Sequence, residues 1–216
     1  MNILVLVSGS GTNLQALLDA EKEGRFKVNG KNGDSADGNA KDIGHIAAVV
    51  SDRAGVYALD RAGNAGVPAL VAEPDKRLPK EERREELSNR LLGIAREYQA
   101  ELIILAGFLS ILKGTILREY EGRIINLHPA LLPKYGGAGM YGSRVHEAVL
   151  AAGENESGCT VHLVDEGTDT GPILLQRKVP VLPGDTAESL AERIHKEEHS
   201  AIVAAAVLML DKIRKE

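Results

Sequence analysis

Ile3-Leu4-Val5-Leu6-Val7-Ser8-Gly9-Ser10-Gly11-Thr12-Asn13 opens with five consecutive aliphatic residues and then breaks into a turn of serines and glycines. A continuous apolar run of that length suits a strand covered on both faces, as in a parallel sheet. It lacks a basic flank before it and a cleavage pattern after it, so it reads as a first strand and not as a signal peptide. Similar runs recur at Ile46–Val50, Leu102–Leu105 and Ile124–Leu127. Helical patterns lie between them: Asn13–Glu23 sets Leu14, Leu17 and Leu18 on one face, Val56–Ala65 is weaker, and Leu87–Tyr98 aligns Leu87, Leu91, Ile94, Ala95 and Tyr98. After Asn126 come a stretch rich in Pro and Gly, a helix over Ser143–Ala152, strand-like runs at Thr160–Val164 and Ile173–Val181, and a last helix. The alternation predicts an α/β fold: an open, mostly parallel twisted sheet with helices on both faces, Rossmann-like, in one domain over 1–216.

The 216 residues fit one domain of about 150 residues with embellishment. Hydrophobic residues make up 44% and charged residues 26%, which argues against disorder and against a membrane protein. No apolar run reaches the roughly 18 residues that a membrane span needs. With 26 Lys and Arg against 31 Asp and Glu the net charge is -5, which disfavours nucleic acid as a partner. Five Tyr, two Phe and no Trp are too few for a base-stacking platform. Cys159 is the only cysteine, so no internal disulfide forms and a cytoplasmic location is expected. The segment 29–42, almost without apolar residues, reads as a mobile surface insert. Lys76–Glu86 carries nine charges in eleven residues and reads as the solvated start of a helix.

Four patterns carry chemistry. Ser8–Asn13 lies between a strand and a helix, where glycines free backbone N–H groups and the helix dipole favours an anion, a phosphate above all. The plainer reading is a strand-to-helix turn with Thr12 or Asn13 capping the helix. Leu14 stands where the dinucleotide fingerprint needs glycine, and no P-loop lysine follows. Asn126-Leu127-His128-Pro129 ends the fourth run; alternation sends Asn126 and His128 to one side, and Pro129 stops the strand. An amide beside an imidazole suits acyl transfer, the amide donating to an oxyanion and the imidazole handling protons. Val164–Pro172 is an acidic turn whose carboxylates, if one reaches His128, would raise its pKa and fix its tautomer. Finally, His195-Lys196-Glu197-Glu198-His199 matches the H-x-x-E-H pattern of inverted zinc peptidases, though only Asp211 and Glu216 follow as third ligands, and a solvated or substrate-facing helix turn is favoured over a metal site. Cys159 reads as a small buried side chain, His162 as a support for the Asp169 loop, and His45 and His146 as incidental.

The Ser8–Asn13 turn, Leu105–Leu112 (LAGFLSIL), Ile125–Tyr135 (INLHPALLPKY), Val161–Gln176 (VHLVDEGTDTGPILLQ) and Lys196–Ile202 (KEEHSAI) together resemble the phosphoribosylglycinamide formyltransferase family. The resemblance spans nearly the whole chain apart from the insert. It implies transfer of a formyl group from 10-formyltetrahydrofolate, a co-substrate, to the amine of glycinamide ribonucleotide in purine biosynthesis, without a metal. It implies catalytic roles for Asn126, His128 and Asp169, and ribonucleotide contacts at Gly11, Thr12, Asn13 and Glu198. Folate contacts are implied at Arg84, at the backbone of Leu109, Ser110, Ile111 and Leu112, at Asn126, and in the loop holding Asp165 and Glu166. Residues 1–125 would then form the phosphate side and 126–216 the folate and catalytic-loop side, in a monomer or homodimer acting on small molecules.

Two departures from the family pattern stand out: Ser110 replaces an arginine of the best-known members, and Gly136–Gly142 differs from their loop. Methionyl-tRNA formyltransferases and formyltetrahydrofolate hydrolases resemble the same core, but the former add a C-terminal and the latter an N-terminal domain, and the length expected here is that of the stand-alone enzyme. A non-catalytic phosphate-binding module is the alternative from another class.

Overall fold

Ile3, Val5 and Val7 face one side of the first strand and Leu4 and Leu6 the other, and in the computed structural model all five are fully buried. That two-sided burial is what a central strand of a helix-covered sheet requires. The structure describes residues 1–26 and 44–216, so the insert 29–42 lies outside the described residues.

The elements in order are β1 (Asn2–Val7), α1 (Thr12–Lys22), β2 (His45–Ser51), α2 (Tyr57–Asn64), β3 (Ala69–Val71), α3 (Lys80–Glu97), β4 (Ala100–Leu105), α4 (Thr115–Glu119), β5 (Ile124–His128), α5 (Ser143–Ala151), β6 (Glu156–Leu163), β7 (Ile173–Pro180) and α6 (Ala187–Lys215). The sheet runs β3-β2-β1-β4-β5-β6-β7. Pairings from β3 to β5 are parallel, and β5–β6 and β6–β7 are antiparallel. The sheet is therefore open and mostly parallel, as the alternation of runs and helices predicts.

Each face has its own core. Ile3, Val5 and Val7 pack with Leu14 and Leu17 of α1 and with Ile202 and Met209 of α6. Leu4 and Leu6 pack with Leu87, Leu91 and Ala95 of α3 and Ile116 of α4. The chain runs from β1 outward to β2 and β3 on one side, then crosses from β3 to β4 on the other side of β1, so the strand order reverses between β1 and β4. This switch point opens a crevice at the carboxyl ends of those two strands, where such sheets bind ligands.

α3 begins at Lys80, so the charged stretch read as the solvated start of a helix supplies its first two turns. Lys, Glu and Arg are good helix formers, and Glu81 and Glu82 in the first turn suit the dipole. β6 starts at Glu156. The three-residue β3 and the five-residue α4 carry too few residues for a periodic signal.

Candidate active site

The Ser8–Asn13 turn enters α1 without a side-chain cap: the N-cap position is Gly11, at φ +74°, and among the described residues no side chain bonds the first-turn N–H groups. The reading of Thr12 or Asn13 as a plain cap is thereby corrected. Gly11 is required twice over, by its left-handed backbone and because a Cβ would lie 2.7 Å from the Cβ of Ala58 on α2. Uncapped amides at a helix N-terminus favour an anion. The Asn13 side chain instead turns to α6, where Nδ2 donates to Glu198 Oε2 at 3.3 Å. His195 Nδ1 meets the same oxygen at 2.7 Å, so α1 and α6 are joined through one buried carboxylate. The Glu198 hydrogen bond raises the His195 pKa above the ordinary value against the opposing effect of burial, and the charges of Glu198 and Glu192 add to the rise.

β5 presents Asn126 and His128 on one side while Ile125 and Leu127 enter the core. Asp169 reaches both. Its Oδ2 lies 3.5 Å from His128 Nδ1 and its Oδ1 lies 3.5 Å from Asn126 Nδ2. His128 Nε2 is 2.7 Å from the Tyr135 carbonyl, an acceptor only, so Nε2 carries a proton and Nδ1 is the atom facing the carboxylate. The Gly137 amide donates to Asp169 Oδ2 at 3.0 Å. Burial would raise the Asp169 pKa, but the His162 hydrogen bond, the charge of His128 and the Gly137 amide outweigh it, and the carboxyl titrates below its usual range.

Asp169 sits at φ +58°, a left-handed conformation that Asp tolerates better than most residues. The loop that carries it leaves β6 where Val164 N–H donates to the Ile124 carbonyl, at the start of β5. It must therefore fold back along β5 to bring Asp169 to Asn126 and His128. Asp165 braces this return, its Oδ1 accepting from the Gly167 amide at 3.0 Å and from Thr170 Oγ1 at 2.7 Å.

The segment after β4 is held from beneath. Leu109 N–H donates to Ser8 Oγ at 2.8 Å, and Ser110 Oγ donates to Asp52 Oδ2 at 2.7 Å. Ser8 and Asp52 are buried at the ends of β1 and β2. Ser110 thus ties the segment to the sheet.

A cleft of about 750 Å³ runs past many of these groups. It is lined by Asn13, Arg84, Leu109–Leu112, Asn126, His128, Asp165, Asp169 and Glu198. Gly11 and Thr12 do not line it, and Glu166 is exposed and off its wall. Both parts of the chain, before and after residue 125, supply its walls.

Three histidines join these residues. His162 lies opposite Asn126 in the β5–β6 pairing, and its Nε2 is 3.1 Å from Asn126 Nδ2. Its Nδ1 donates to the Leu163 carbonyl at 2.8 Å, which leaves Nε2 to accept from Asn126 or, when protonated, to donate to Asp169 at 3.5 Å. His146, read from sequence as incidental, is buried against the cleft, where burial above all lowers its pKa. His195 lines the cleft, and His199 does not. Among the described residues no group of three or more His, Cys, Asp or Glu has a metal-binding arrangement. Cys159 is fully buried, and burial lifts its thiol to about 12, so it is no nucleophile at neutral pH. Among the described residues no helix is long and apolar enough to cross a membrane.

The chain matches the formyl transferase family over residues 1–206. It is 43% identical over 209 residues to the trifunctional purine biosynthetic protein adenosine-3 of Drosophila melanogaster, covering 97% of this chain but only 14% of that protein. It is 36% identical over 202 residues to the phosphoribosylglycinamide formyltransferase of Escherichia coli, covering 93% of this chain and 82% of that protein. The crystal structure of glycinamide ribonucleotide transformylase 1 from Symbiobacterium toebii is similar with a TM-score of 0.83 and 39% identity, over 98% of this chain and 88% of the other. A family match over nearly the whole length, on a sheet whose cleft gathers an amide, an imidazole and a carboxylate, shows that the chain belongs to the formyl transferase family.

Proposed function

We propose that this chain transfers the formyl group of 10-formyltetrahydrofolate to the amine of glycinamide ribonucleotide, a step of purine biosynthesis, by direct acyl transfer. The observation that carries the reading is the convergence of Asn126, His128 and Asp169 in a cleft that also reaches Asn13, in the uncapped first turn of α1. The ribonucleotide phosphate sits on the Gly11, Thr12 and Asn13 amides, and Glu198 meets its ribose. The folate lies along Leu109–Leu112, with Arg84 at its acidic end and the Asp165 loop beside it; Glu166 contributes only as part of that loop.

The substrate amine attacks the formyl carbon and an oxyanion forms on the formyl oxygen. An Asn126 N–H donates to it, and the positive charge of protonated His128, held beside Asp169, offsets it. The amine proton passes to a water held by Asp169; the bond from carbon to folate N10 then breaks, and N10 leaves as a protonated amine. Side chains cover both the charge and the proton, so the chemistry needs no metal and no covalent enzyme intermediate. We place the reaction in the cytoplasm, on small molecules, in a monomer or homodimer.

The test mixes the protein with both substrates and follows loss of the folate formyl group. Consumption that depends on the ribonucleotide is the expected result. Consumption without it would make the chain a hydrolase, and tight binding with no turnover would make it a binding module.

A further inference from the structure

The turn before α1 is held by α2. Ala58 N–H donates to the Gly9 carbonyl at 3.1 Å. Arg61 Nε–H donates to the next carbonyl, that of Ser10, at 2.9 Å, and another of its N–H groups donates to Gln15 Oε1 at 3.0 Å. The guanidinium lies over the Tyr57 ring, 4.7 Å from its centroid. α2 and α1 meet so closely at Gly11 that only a glycine fits.

Across a trans peptide the carbonyl and the following N–H point in opposite directions. Pinning the Gly9 and Ser10 carbonyls to α2 therefore turns the Ser10 and Gly11 amides away from α2, as a backbone anion nest requires. Among the described residues no carboxylate lies within ion-pairing distance of Arg61, whose positive charge lies behind the turn. Arginine suits this position because its planar fork donates from Nε and a terminal nitrogen at once while its face stacks on a ring, and a lysine ammonium does neither.

We infer that Arg61 is a positioning residue for the ribonucleotide phosphate, aiming the amides of the turn and supplying a fixed positive charge behind them without touching the reacting atoms. The inference rests on the proposed function, because it takes the phosphate to lie on this turn.

The test is steady-state kinetics of Arg61→Met and Arg61→Lys, with inorganic phosphate as a competitor of the ribonucleotide. In Arg61→Met the ribonucleotide KM and the phosphate inhibition constant should both rise about tenfold, the order expected for one lost charged hydrogen bond. The folate KM and kcat should stay within about twofold, since the interaction is made equally in ground and transition states. Arg61→Lys should restore less than half of the loss on a logarithmic scale, because the charge returns without the fork. If Arg61→Met does not fold, Arg61→Lys carries the same comparison at smaller amplitude. An unmoved ribonucleotide KM, or both KM values rising together with a lower Tm, would overturn the role of Arg61 while leaving the proposed function intact. Failure of the wild-type chain to use the ribonucleotide would overturn both.

Discussion

His195 shares Glu198 with Asn13, and its titration is where pH should enter the behaviour of the cleft. Glu198 and Glu192 on its own helix raise its pKa while burial opposes them, and its charge in turn helps to lower the pKa of the buried His146 of α5. Because the folded value lies above the ordinary 6.5, the contribution of this pair to stability is complete below that value and is lost as pH rises through the raised one. The protonated ring also favours a phosphate. Ribonucleotide affinity should therefore weaken over the same rise, and His195→Gln should flatten the profile; a calorimetric pH series checks both. Asp169→Asn keeps the shape but removes the charge beside His128, so kcat should fall by about 10²–10⁴ with little change in ribonucleotide KM. A proportional loss of ribonucleotide binding would contradict that split. Ser110→Ala strands a buried Asp52 oxygen and loosens the segment after β4, so it should destabilise the fold by about 1–3 kcal/mol and raise the folate KM alone.

At the scale of elements, α6 carries the most. Thr186 accepts from the Ser189 amide at 3.2 Å while Ser189 Oγ accepts from the Thr186 amide at 3.0 Å, a reciprocal cap. Thr186→Ala should cost about 1 kcal/mol, which a thermal melt should show as about 2–4 °C in Tm for a chain of this size. The long elements were legible because burial leaves its period in the sequence: β1, β4 and β5 as aliphatic runs, α1 and the later part of α3 as leucine faces. β3 was not legible, since its three apolar residues are too few to show a period and lie half-buried or exposed at the sheet edge. The first turns of α3 were legible only as charge, since they bury little. The pairing of His162 with Asn126 was beyond reach for another reason: register is set by the two strands meeting, and neither strand encodes it alone.

The whole molecule assembles one cleft from parts far apart in the chain: the start of α1, the ends of β4 and β5, the loop after β6 and the middle of α6. A ligand bridging these parts should stabilise all of them together. Ribonucleotide at about 100 times its Kd should add about 2.7 kcal/mol, read as a rise of about 5–10 °C in Tm. Absence of a shift would mean that the cleft does not bind it. The proposed catalytic trio was legible through the family resemblance and the strand-end position of Asn126 and His128, whereas the place of His146 against the cleft was not, because it comes from α5 packing beside α6 and not from any local motif. The loop after β6 imposes a last requirement. Its carboxylate arrives by doubling back over a fixed number of residues, braced by Asp165, so the span acts as a ruler. Removing Gly167 or Thr168 should leave the hairpin strands paired but draw Asp169 short of its mark, so that turnover is lost in a protein that still melts cooperatively.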